Sequence, residues 1–76
     1  MMLSVDQMLQ IVANGGGLRI ANDGLSQQNL IQLATYAGEN GAKLTIAVIL
    51  DMTHDQMVEI ATHGGGNVVF DLVDRQ

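Results

Sequence analysis

Two groups of residues in this 76-residue chain carry side chains or backbone capable of chemistry. Asn22, Asp23, Asp51, His54 and Asp74 each follow a short aliphatic run. Ligands of open α/β sheets bind beyond the carboxyl ends of strands, and carboxylates with an imidazole there could hold a divalent cation or move protons. Their spacing matches no metal-ligand pattern, and a helix dipole alone attracts aspartates to helix starts. The second group is two glycine triplets, Gly15-Gly16-Gly17 and Gly64-Gly65-Gly66. Such loops cradle phosphate when they follow a strand and open a helix. Here each follows a helical stretch and precedes an extended one, which predicts a helix-ending turn. His63, near a predicted helix C-terminus, sits where positive charge is favoured. The chain has no cysteine, which removes disulfides, thiolate zinc and a thiol nucleophile. The sequence therefore predicts a non-enzyme with no cofactor and no metal.

The elements that would position these residues come from a phrase repeated three times. The copies begin at Leu3-Ser4, Leu25-Ser26 and Met52-Thr53. Ser4, Ser26 and Thr53 are N-cap residues, with Gln7, Asn29 and Gln56 three positions on in capping-box fashion. An apolar residue before each cap pairs with one at N4: Leu3 with Met8, Leu25 with Leu30, Met52 with Met57. Apolar residues then recur at helical spacing, and glycines end each helix: Gly15–Gly17, Gly38 with Gly41, and Gly64–Gly66. The β-prone runs Leu18–Ala21, Leu44–Ile49 and Asn67–Leu72 follow, the first being the shortest.

The order αβαβαβ predicts one small α/β domain over residues 1–76. It is a solenoid-like two-layer fold with a three-stranded parallel sheet and helices on one face. Strand alternation directs Leu18, Ile20, Leu44, Ile46, Val48, Val68, Phe70 and Leu72 toward the helices. Arg19, Ala21, Thr45, Ala47, Asn67, Val69 and Asp71 face the other way. Parallel sheets rarely leave one face bare outside curved repeat proteins. That second face is thus a concave binding surface, a self-association surface or a mildly polar solvent face.

Composition narrows the partners. The net charge is −5, with only Arg19, Lys43 and Arg75 basic, which disfavours DNA, RNA and anionic membranes as partners. No apolar stretch reaches spanning length, and no basic leader precedes one, so the expected location is cytoplasmic. Tyr36 and Phe70 are the only aromatics, so Leu, Ile, Val, Met and Ala must build the core. A domain of this size buries roughly 60% of its unfolded surface and is marginal alone, which points to self-association as a homodimer or larger.

Two stretches resemble known families. Leu18-Arg19-Ile20-Ala21-Asn22-Asp23-Gly24-Leu25-Ser26, followed by Leu30, Leu33-Ala34 and Leu44-Thr45-Ile46, resembles a leucine-rich repeat of ribonuclease-inhibitor type. The step from Leu25 to Met52 lies within the roughly 20–29 residues of such repeats. That resemblance implies a strand, an asparagine-containing turn and a helix, with an inner sheet that binds proteins. The segments 3–17 and 52–66 resemble the first helix and loop of a transcription-activator-like effector repeat. That resemblance implies base reading by Asn14-Gly15 and His63-Gly64, although β-prone runs follow here where that family has a second helix.

From the residues themselves, the expected function is non-catalytic protein–protein interaction with self-association. The face carrying it is Arg19, Ala21, Thr45, Ala47, Val69 and Asp71. The alternative is a nucleic-acid-binding fragment of the effector type.

Overall fold

A computed structural model describes residues 3–72. Helices α1 (Val5–Ala13), α2 (Gln27–Asn40) and α3 (His54–Gly64) alternate with strands β1 (Leu18–Ala21), β2 (Leu44–Ala47) and β3 (Val68–Asp71). The sheet is parallel throughout, in the order β1-β2-β3. The expected αβαβαβ arrangement is thus the one observed, and the short first strand forms at the same length as the other two.

Each helix starts for the reason its sequence gives. The side chains of Ser4, Ser26 and Thr53 accept from the backbone N–H of Gln7, Asn29 and Gln56, whose side chains accept in return from the cap N–H. The glycine ends expected for α2 and α3 are observed, and the end of α1 differs. Asn14, at φ −97°, caps α1 before Gly15, while Gly41 and Gly65 cap α2 and α3 in the left-handed conformation. Gly38 lies inside α2, and Gly64 is the last residue of α3, directly before its cap.

Those two glycines mark where α2 and α3 pack most closely. A Cβ on Gly38 would lie 2.8 Å from the Gly64 carbonyl oxygen, and one on Gly64 would run into Val68 Cγ2. Only glycine permits this approach, which draws α3 onto both α2 and β3.

The register sets Leu18 against Leu44 against Val68, and Ile20 against Ile46 against Phe70. These rows point into a core with Met8, Val12, Leu30, Leu33, Ala34 and Ile60. Two expectations of alternation fail at strand ends, because the strands are shorter than predicted. Asn67 precedes β3, and its Nδ2 donates to the Ala37 carbonyl at 3.1 Å, on the helix side. Leu72 follows β3 and is 66% exposed rather than buried under a helix.

The Gly38 contact yields a prediction. Gly38→Ala gains about 1 kcal/mol of helix propensity. It must also displace a backbone carbonyl, and overpacking of this kind costs roughly 1–3 kcal/mol. The urea midpoint should fall; a rise would show that α2 and α3 separate without penalty.

Candidate functional site

The open face is built by the two residues of each strand that alternation leaves on the side away from the helices. Arg19, Thr45 and Val69 form one row across the sheet, and Ala21, Ala47 and Asp71 the next. Arg19 Nη2 donates to Asp71 Oδ2 at 2.7 Å. The two residues lie on β1 and β3, so the pair reaches across β2, a span of two strand spacings or roughly 9–10 Å. The two charged members of the face thus satisfy each other within the chain. Both side chains remain solvated (66% and 36% exposed), so the pair contributes only about 0–1 kcal/mol.

Beneath that strap the face is small and tight. Ala21 and Thr45 are half-buried and Ala47 is only 7% exposed, leaving little Ala47 surface for a partner. Val69 is the one exposed apolar residue of the face, at 42%. Three strands of four residues make a patch on the order of 200 Å² at standard strand spacing. Stable interfaces bury about 800 Å² per partner, so this face alone supports only weak contacts.

At the carboxyl ends of the strands, Asn22 has a different role from the chemical one considered. It is 7% exposed, and its Oδ1 accepts from the backbone N–H of both Ile49 and Leu50 at 2.9 Å. Its Nδ2 donates to the Leu50 carbonyl at 2.8 Å. One side chain therefore clamps the loop after β2 to the loop after β1, with every polar valence engaged but one donor. Asn22 was legible as the asparagine of a strand–turn–helix unit, but its three partners were not. The depression beside it, lined by Leu25, Gln27, Leu30 and Met52 among others, holds about 160 Å³. That is below the roughly 300 Å³ at which small-molecule sites begin.

The other candidates are dispersed. Asp23 and Asp51 are exposed, and His54 Nδ1 lies 3.7 Å from Asp55 Oδ1 in solvent. Asp74 lies outside the described residues. No group of three His, Asp or Glu residues among the described ones converges as a metal site would require. The residues aligned with base-reading positions hold helix-end roles. Asn14 caps α1 and donates from Nδ2 to the Gln10 carbonyl at 2.7 Å, and Gly15 follows at φ +86°. His63 and Gly64 belong to α3 itself, His63 Nδ1 lying 2.9 Å from the Glu59 carbonyl and Gly64 being buried. Both segments run on into strands, not into a second helix. No described helix is long and apolar enough to cross a membrane.

Comparison with family models, with curated proteins and with solved structures gave no match.

The Asn22 clamp is open to direct measurement. Asn22→Ala removes three hydrogen bonds worth about 0.5–1.5 kcal/mol each, so unfolding free energy should drop by roughly 2–4 kcal/mol. Amide exchange at Ile49 and Leu50 should accelerate together. Unchanged exchange at both would show that the clamp does not hold the loop.

Proposed function

We propose that this chain is a non-catalytic protein-interaction module that associates with itself. The observation that carries the reading is the incomplete cover of the sheet. Among the described residues one face has no layer over it and β1 and β3 are both open edges. Exposed strand edges are templates for pairing with another chain. Exposed Leu3, Ile11, Ile49, Leu50, Val58 and Leu72 add apolar surface around that incomplete sheet. The sparse basic charge supports a protein partner over a nucleic acid.

Sedimentation equilibrium between about 1 and 100 µM should give a mass above the 8.1 kDa of one chain. A monomer across that range contradicts the reading. Thr45→Arg places a long charged side chain at the centre of the open face. It should weaken association only to the extent that this face takes part, while helix content by circular dichroism stays constant.

A further inference from the structure

The surfaces left open at the two ends of the layered domain correspond in position to the two sides of a junction the molecule contains twice. Aligning the helices on Ser4, Ser26 and Thr53 makes Ile11, Leu33 and Ile60 equivalent. Leu33 and Ile60 are fully buried, whereas Ile11, with no helix before it among the described residues, is 36% exposed. The next position runs the opposite way: Val12 and Ala34 are fully buried against the following helix, and Ala61 is exposed. The strands repeat the pattern. Val48 is 8% exposed, and its equivalent after β3, Leu72, is 66% exposed. Terminal units of repeat proteins ordinarily present a polar outer side; here Ile11 is exposed at one end and Val58 and Leu72 at the other.

The backbone is matched in the same way. Leu18 N–H donates to Lys43 and Asn22 N–H to Ala47 across the first junction; Leu44 N–H donates to Asn67 and Val48 N–H to Asp71 across the second. Parallel ladders alternate, so Arg19 and Ala21 direct their backbone groups outward at one edge and Val68, Phe70 and Leu72 at the other. These are the groups that would continue the ladder, Val68 N–H to Gly17 and Leu72 N–H to Ala21 of a second copy.

We infer that a second copy of this chain docks head to tail, its β1 and α1 upon β3 and α3 of the first, repeating the internal junction. The inference rests on the self-association proposed above and specifies its geometry. Such an interface is heterologous, so it builds open-ended chains or rings, not a twofold dimer. A cleft of about 570 Å³ at the β1 end, whose lining includes Val5, Met8, Ile20 and Leu25 beside the polar Arg19 and Asp23, is where the exposed apolar groups of the other end would seat.

Complementary end-blocked variants test this. Ile11→Glu with Ala21→Pro blocks one end, because the Ala21 N–H faces away from β2 and proline there removes no internal bond. Val58→Glu with Leu72→Pro blocks the other. Circular dichroism matching the parent chain confirms that each pair folds; the single variants Ile11→Glu and Val58→Glu serve where a proline does not. The unmodified chain should show masses that grow past the dimer with concentration in sedimentation velocity. Each blocked variant should be at least tenfold weaker in self-association, and a 1:1 mixture should recover a discrete heterodimer of about twice 8.1 kDa. A discrete dimer of the unmodified chain, with no recovery on mixing, overturns head-to-tail docking while leaving self-association intact. A monomeric unmodified chain overturns both.

Discussion

Everything in this domain follows from holding Leu18, Leu44 and Val68 in one row of a parallel sheet. Parallel neighbours cannot be joined by a tight turn, so each strand must be reached through a crossover, and here each crossover contains a helix. The same row fixes which side chains enter the core, since a slip of one residue would exchange Ile46 for Thr45. Glycine then lets the helix layer settle at the spacing this sheet dictates. Gly38 and Gly64 bring α2 and α3 within backbone contact, and the resulting slab is 18 Å thick, one helix upon one sheet.

The two junctions within the slab are alike in geometry and unlike in chemistry. Between the first and second units, the buried Asn22 ties two loops with three hydrogen bonds. Between the second and third, the corresponding residue is Val48, which packs into the core and offers only its backbone. The stacking of units therefore does not depend on an asparagine at every step; aliphatic burial and ladder bonds carry the second junction. The Arg19–Asp71 pair spans both junctions on the solvent side but is too exposed to hold them. Its bearing is on specificity, because it occupies the charges of the face before any partner arrives.

Much of this was legible in the residues. Ser4, Ser26 and Thr53 with their N3 partners mark helix starts because a cap is a local interaction, completed within four residues. Strand alternation placed Arg19 and Asp71 on one face for the same reason. What could not be read was non-local. Gly38 looked like a helix end, whereas its absent side chain matters to a helix twenty-six residues away. Asn67 looked like a strand residue facing solvent, but the strand begins one residue later and its amide finds α2. Asn22 looked chemically available, and only the fold reveals that Ile49 and Leu50 consume its acceptor. Of the candidate face, the positions were legible and the small accessible area was not, because Ala47 is covered in a way alternation does not describe.

The central claim is that three stacked units leave the ladder unfinished at both edges, in a form that a second copy completes. Residue-resolved amide exchange tests it most directly. In dilute solution, Leu18, Ile20 and Asn22 should be protected while Arg19 and Ala21 exchange fast. Val69 and Asp71 should be protected while Val68 and Phe70 exchange fast. Raising the concentration should slow Arg19, Ala21, Val68 and Phe70 and leave the others unchanged. Equal protection along β1 and β3 in the dilute chain, or no response of those four amides to concentration, would contradict the account.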